Sequence, residues 1–174
     1  MIENFNDNFR ELCLNLKIDK RRFILGLSGG IDSMALLSLL KHFIVSNKNL
    51  KIEVFPVIID HDLRLNSSNE AKAVQNIALS LGFNTIIKKI ITKKPNGNIQ
   101  NWARKERRRI LCDIAFEFSA NLILGHHSDD LVETIFMRSV KGSGIEGLRG
   151  MQDRMIWNET LILRPLIFFK KHQI

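Results

Sequence analysis

Between Leu27 and Met34 the chain reads Ser28-Gly29-Gly30-Ile31-Asp32-Ser33, the residue types from which an anion-binding turn is made. Two adjacent glycines let the backbone turn sharply and bring unpaired N–H groups against an anion, and a helix starting just after them adds the positive end of its dipole. The hydroxyls of Ser28 and Ser33 supply further donors. Asp32 fits on one condition, because a carboxylate repels phosphate oxygens unless a divalent cation lies between them. Magnesium at Asp32 is therefore expected. The plainer alternative is a strand-to-helix turn whose serine and aspartate only cap the helix. Neither the lysine-bearing phosphate loop G-x-x-x-x-G-K-S/T nor the dinucleotide fingerprint G-x-G-x-x-G is present at the turn.

Three further groups of residues have the types to do chemistry. Asp60-His61-Asp62 and Gly125-His126-His127 each follow an apolar run, and Ser128-Asp129-Asp130-Leu131-Val132-Glu133 continues the second of them. In a helix Asp129 and Glu133 share a face, while Asp130 points about 100° away. Acidic residues also favour a helix start through the dipole alone. His61, His126 and His127 read either as general bases near neutral pH or as hydrogen-bonding residues that hold strand ends together. Metal binding by the His126-His127 pair is disfavoured, since neighbours on a strand end point apart. Arg104 and Arg107, three residues apart on one helix face, suit a phosphate or an RNA backbone; surface pairing with Glu106 or Glu117 is the alternative. Trp102 reads as core.

The elements that must position these groups alternate along the chain. Apolar runs at 22–27, 52–59, 84–91 and 122–124 predict strands, and the periodic segments 32–45, 68–81, 100–118 and 129–140 predict helices. This repeated βα pattern predicts an α/β fold, a parallel sheet with helices on both faces and its ligand crevice at the carboxyl ends of the strands. Three of the groups above fall at those ends. Pro95-Asn96-Gly97-Asn98 reads as a turn, residues 141–150 as a glycine-rich contact loop, and 153–156 with 160–163 as a short hairpin around Trp157-Asn158-Glu159.

Size and composition bound the possibilities. The 174 residues, 45% of them hydrophobic, suit one domain over residues 1–174. A net charge of +8, with clusters such as Arg104-Lys105-Glu106-Arg107-Arg108-Arg109, suits a polyanionic partner, although a solvated helix face explains any one cluster as well. Cys13 and Cys112 stand alone, which argues against a zinc knuckle, an iron–sulfur centre or a disulfide framework and suits a reducing, cytoplasmic setting. No apolar run approaches the roughly 18 residues of a membrane span, so no membrane partner is expected.

The Ser28–Ser33 string resembles the PP-loop of the N-type ATP pyrophosphatases, which split ATP between its α and β phosphates; their adenine nucleotide alpha hydrolase-type fold is Rossmann-like. The later blocks narrow the resemblance to the tRNA(Ile)-lysidine synthetase family. They are Asp60-His61-Asp62-Leu63-Arg64, the N-x-Q-x-x-A-R-x-x-R helix at 98–107, Gly125–Thr134, the loop from Lys141 to Gly144 with Gly147-Leu148, and Leu163-Arg164-Pro165-Leu166. The resemblance implies ATP-dependent attachment of free L-lysine to the wobble cytidine of a tRNA(Ile) with a CAU anticodon, with ATP and Mg2+ as cofactors and a dimer as one assembly it allows; the alternatives are a truncated product that binds nucleotide without turnover, or another PP-loop tRNA-modifying enzyme such as a thiolase. It implies Ser28, Gly29, Gly30, Ile31, Asp32, Ser33, His61 and Arg104 at ATP, with Asp32 as the metal ligand. Asp32, Asp130 and Glu133 carry catalysis, and Asp130 and Glu133 take either the lysine ammonium, a cation that an otherwise basic chain needs acidic residues to hold, or a second magnesium ion. Arg107, Arg138 and Lys141 face the tRNA. Three features depart from the family pattern: Arg108 stands where an aromatic residue is usual, Lys141 where an arginine is usual, and the family's C-terminal tRNA-binding part is expected to lie outside these residues.

Overall fold

In the computed structural model, residues 1–15, 21–63, 66–140, 142 and 152–174 are described. Strands β1 (Arg22–Gly26), β2 (Glu53–Asp60), β3 (Ile86–Lys89), β4 (Asn121–Leu124), β5 (Arg154–Trp157) and β6 (Thr160–Leu163) form one sheet in the order β3-β2-β1-β4-β6-β5. All pairings are parallel except β5 with β6. The strand order reverses at β1, which lies between β2 and β4, so the crevice beyond the carboxyl ends opens between β1 and its two neighbours. Pro56 is tolerated inside β2 because β3 pairs only from Val57 onward, leaving the missing N–H without a partner to lose.

Alternation along the strands divides the apolar residues between two cores. Phe23 and Leu25 face a core shared with α1 (Ile2–Asn15), α2 (Ile31–Ser46) and α3 (Ser67–Ser80). Ile24, Leu122 and Ile162 face the opposite side, where Leu111, Ile114 and Ala115 of α4 (Ile99–Glu117) cover them. Helices on both faces are therefore observed. Helix α1 lies upstream of the pattern read from the sequence. Phe5 and Phe9, one turn apart, are fully buried; Phe9 stacks on Phe5 at 5.6 Å and meets Phe43 of α2 edge-on at 4.9 Å.

The 153–163 hairpin forms but joins the main sheet through β6 and β4. Its turn is shorter than the expected one. Trp157 belongs to β5, and Asn158 and Glu159 make a two-residue turn with φ of 46° and 62°, the left-handed values that match the twist of a hairpin. Trp102 packs against the second core, as expected. No described helix is long and apolar enough to cross a membrane.

Candidate active site

The turn after β1 is shaped by its own side chains. Ser33, buried in the first turn of α2, accepts the Ser28 backbone N–H at 3.2 Å, lies 3.0 Å from the Ser28 hydroxyl and donates to the Gly30 carbonyl at 2.9 Å. Its one proton is thus spent on the loop, and Ser33 shapes the turn where the sequence had suggested a direct phosphate donor. Ser28 is exposed and keeps its hydroxyl at the mouth of the crevice. Gly30 is the N-cap of α2, and no side chain caps that helix. The capping alternative for Asp32 and Ser33 is therefore not what the turn does. Uncapped N–H groups at a helix start are the donors that an anion takes up.

Helix α5 (Ser128–Val140) starts on the other side of β1, beyond β4. A Cβ on Gly125 would lie 3.3 Å from the Ser33 Cα and 3.4 Å from the Asp32 carbonyl, so glycine lets the first turn of α2 rest against the end of β4. The next two residues diverge as predicted. His126 faces the crevice, whereas His127 is 4% exposed, with Nε2 3.6 Å from Asp32 Oδ2 and Nδ1 3.6 Å from Asp130 Oδ2. His127 also starts α5 by a reciprocal cap: its N–H donates to Asp130 Oδ2 at 2.9 Å, and its Nδ1 accepts the Asp130 N–H at 3.4 Å. At the end of β2, Asp60 is buried and fixed by the Ser68 hydroxyl at 2.7 Å and the Asp62 N–H at 2.9 Å. Burial pushes the Asp60 carboxyl up, but these donors outweigh it and hold its pKa below the usual value.

A cavity of about 320 Å³ occupies the crevice, lined by the polar residues Ser28, Asp32, His61, Arg107, His126 and Asp130 and the apolar residues Val57, Ile59, Leu111 and Leu124. Among the described residues, the buried side-chain polar atoms without a partner include Asp32 Oδ1, His61 Nδ1 and His126 Nδ1, all from this lining. Buried polar atoms are rarely left unpaired, and a cluster of them marks where a polar ligand belongs.

Arginines crowd one another beside the cavity. Arg107 is depressed below the ordinary arginine value by burial and by the neighbouring Arg104 and Arg108 guanidiniums. It remains a cation in want of an anion. Arg164, 3% exposed, donates to the Gln152 carbonyl at 2.8 Å and to Met155 Sδ at 3.1 Å, with burial and then Arg108 and Arg104 acting against its charge. Burial lowers His61, with the Arg107 charge adding to it. Burial and the Arg164 charge bring His126 down to about 4. At neutral pH His126 is therefore neutral and a weak proton acceptor, which argues against a general-base role.

The same shift makes an acid-stability prediction. A histidine held neutral in the fold binds no proton until about pH 4, while the unfolded chain binds one near pH 6.5, so stability falls as the pH drops through that window. Its slope is at most about 1.4 kcal/mol per pH unit. Urea unfolding at pH 7 and pH 5 is expected to show a smaller loss in His126→Gln than in the wild type, and equal losses would contradict this.

The remaining predicted residues are placed less evenly. Asp130 reaches the cavity, but Glu133 is exposed one turn along α5 and is absent from the lining. Asp129 accepts the Lys171 N–H at 3.3 Å and the Ser128 hydroxyl at 3.2 Å, tying the 3-10 turn Lys171–Gln173 to the start of α5. Arg107 lines the cavity, whereas Arg104, expected at ATP, is exposed and outside the lining. Surface pairing of Arg104 or Arg107 with Glu106 is not observed; Glu106 is taken by Arg109 at 2.9 Å and Thr92 at 3.0 Å. Arg108 lies over the Trp157 ring at 5.4 Å, which gives this position an aromatic contact from outside the helix. Arg138 is half-buried on α5, and Lys141 lies outside the described residues, as does the glycine-rich loop at 143–150.

A parallel sheet reversed at β1, with a Ser-Gly-Gly turn leading into an uncapped helix at the switch point, defines a nucleotide-binding α/β protein. The chain matches the PP-loop domain family over residues 1–174 and belongs to it. Among curated proteins it is 36% identical over 154 residues to the tRNA(Ile)-lysidine synthase of Orientia tsutsugamushi (strain Boryong), covering 88% of this chain and 34% of that protein. It is 34% identical over 179 residues to the tRNA(Ile)-lysidine synthase of Thermosipho africanus (strain TCF52B), covering 100% of this chain and 40% of that one. The chain thus spans 34% to 40% of the length of these relatives. Among solved structures, the U34-tRNA thiolase NcsA from Methanococcus maripaludis with its 4Fe-4S cluster superposes with a TM-score of 0.76 at 18% identity, over 99% of this chain and 61% of that one. That likeness concerns the fold.

Proposed function

We propose that this chain is the ATP-using catalytic domain of an enzyme that joins lysine to the wobble cytidine of a tRNA(Ile) bearing a CAU anticodon. The observation that carries the reading is the cavity at the switch point, where the uncapped α2 start, a partnerless Asp32 oxygen and the Arg107 guanidinium face one space. The 34–36% identity to proteins named tRNA(Ile)-lysidine synthase supports this choice of substrates.

In this chemistry the cytosine O2 attacks the α-phosphorus of ATP and pyrophosphate leaves. The lysine ε-ammonium gives one proton to solvent, its amine adds at carbon 2, AMP departs with the former O2, and the new nitrogen loses a second proton to solvent and keeps one N–H. The α2 N–H groups and the Ser28 hydroxyl bind the phosphates, and Arg107 offsets charge at the α-phosphate. The neutral His61 and His126 present hydrogen-bonding edges beside an apolar wall, which suits an aromatic base.

Asp130 gives its Oδ2 to the His127 cap and turns the rest of its carboxylate to the lysine ammonium, with Glu133 outside the cavity rim as the second acidic contact. Arg104 and Arg138 face the RNA, and Lys141 is assigned to it from the family resemblance alone. The residues fit magnesium. One buried, unpartnered carboxylate oxygen beside a phosphate-binding turn is what a cation sharing its shell with phosphates and water needs, and a cage of three or more protein ligands is absent among the described residues. Bound there through Asp32, the ion would supply charge neutralisation at the pyrophosphate.

Thiolation, the chemistry of the superposed tRNA thiolase, is disfavoured by the cysteines. Cys13 packs against the first core and Cys112 lies in the second, on opposite faces of the sheet. Burial also raises their thiols to about 12 and about 11, which keeps them from being sulfur nucleophiles at neutral pH.

The test is incubation with ATP, magnesium, radiolabelled lysine and unmodified tRNA(Ile), following label into RNA and the release of AMP. Lysine incorporation that needs ATP and is lost when the wobble cytidine is replaced by uridine is expected. ATP cleavage without lysine transfer to any tRNA would overturn the reading. Calorimetry with a non-hydrolysable ATP analogue is expected to show affinity reduced roughly tenfold or more by Arg107→Ala, as for the loss of a charged hydrogen bond. Arg104→Ala is expected to change it by less than about threefold, in line with an exposed charge.

A further inference from the structure

We infer that His127 is a positioning residue with two separable jobs: its Nδ1 side builds the start of α5, and its Nε2–H side holds the Asp32 carboxylate in place beside the phosphate-binding turn. The inference rests on the reading of Asp32 as the magnesium ligand and goes beyond it by naming what orients that ligand.

The hydrogen-bond pattern sets the tautomer. Nδ1 accepts the Asp130 N–H at 3.4 Å, so in the neutral ring the proton sits on Nε2, the atom 3.6 Å from Asp32 Oδ2. That separation is a directed electrostatic contact slightly longer than a hydrogen bond. The ring has little freedom to turn away, being 4% exposed with its backbone N–H held at 2.9 Å by Asp130 Oδ2.

Asp32 has few other constraints. Its Oδ1 is buried without a partner, and its place in the first turn of α2 leaves the side chain free to rotate unless something outside the helix engages Oδ2. His127 is that group, and it arrives from β4, the strand on the opposite side of the crevice from β2. The same imidazole therefore links Asp32 to Asp130, both of which line the cavity. A metal-ligating carboxylate oriented by a fixed N–H donor follows the general pattern by which surrounding hydrogen bonds set the direction of metal ligands.

Two isosteric variants separate the jobs. An asparagine side chain places its amide near the Nδ1 position and reaches no further, whereas a glutamine extends to the Nε2 position. His127→Asn keeps the α5 cap and releases Asp32; His127→Gln keeps a donor at Asp32 and loses the cap. In thermal unfolding without ligand, His127→Asn is expected to melt within about 1 °C of the wild type and His127→Gln about 2–4 °C lower, as for a lost helix cap. In a titration of magnesium at fixed ATP, read as ligand-induced thermal stabilisation, the ranking reverses. The magnesium concentration for half effect rises roughly tenfold in His127→Asn and stays within about threefold in His127→Gln. Nitrogen-15 spectra of the wild type are expected to show a protonated Nε2 and an unprotonated Nδ1.

A proton on Nδ1 alone, or variants that fail in parallel in both assays, would overturn the inference. Wild-type protein whose stabilisation by ATP ignores magnesium would instead sink the reading of Asp32 on which it rests. The two failures are distinct, because the tautomer and the ligand-free melting order are measured without metal.

Discussion

Asp32→Asn is expected to lower ATP-dependent pyrophosphate release roughly 10²- to 10³-fold, the usual cost of removing one oriented charge from a transition-state site, while the protein stays folded. The substitution keeps the size of the side chain and leaves an oxygen for the His127 Nε2–H, so the packing at the start of α2 has no reason to change. What it removes is the negative charge whose Oδ1 is buried and unpartnered beside the phosphate-binding turn. On stability alone the loss is small, because an acidic residue in the first turn of a helix contributes about 0.3–1 kcal/mol through the dipole. Activity and stability should therefore separate: melting near the wild-type temperature, with pyrophosphate release at a small fraction of the wild-type rate. Full pyrophosphate release by Asp32→Asn would remove Asp32 from the chemistry and leave it as a first-turn acid.

Much of this site was legible because its residues are adjacent in sequence. A glycine turn after an apolar run, and histidines after two others, place three groups at strand ends by periodicity alone, and the parallel order of β1, β2 and β4 then brings them together. What was not legible depends on how helices are rotated in the tertiary structure. Arg104 and Arg107 share a helix face, so their spacing does not say which one points inward. The signal that does is the stripe Ala103, Arg107, Leu111, Ala115 at intervals of four, in which Arg107 takes a core position. Arg164 shows a comparable limit: within the Arg-Pro-Leu block nothing marks it as buried, and its burial follows from the β5–β6 pairing that brings Gln152 and Met155 to its guanidinium. Helix α1 carries a weak signal, Phe5, Phe9 and Leu12 at helical spacing, diluted by the asparagines and acids between them. His127 is a different case. Both readings of it were open in the sequence, and its burial against two carboxylates fits the hydrogen-bonding one.

Gly29→Ala is the substitution expected to damage both fold and site. Gly29 has φ of 77°, a left-handed value at which an alanine costs roughly 1–2 kcal/mol. A Cβ there would also lie 2.6 Å from Val74 Cγ2 of α3, closer than any real contact, with its other neighbours at 3.8 Å. Forcing a methyl into packed surroundings typically costs a further 1–3 kcal/mol. The two costs have different remedies, which makes the argument testable. Val74→Ala removes the clashing methyl but leaves the left-handed backbone, so the double variant Gly29→Ala with Val74→Ala should recover only the packing part of the lost stability in urea unfolding. Binding of ATP should return less completely, because a backbone that relaxes from φ of 77° turns the N–H groups of the loop away from the phosphates they are placed to meet. Complete recovery of both by the double variant would mean that Val74, and not the left-handed turn, is what requires glycine at this position.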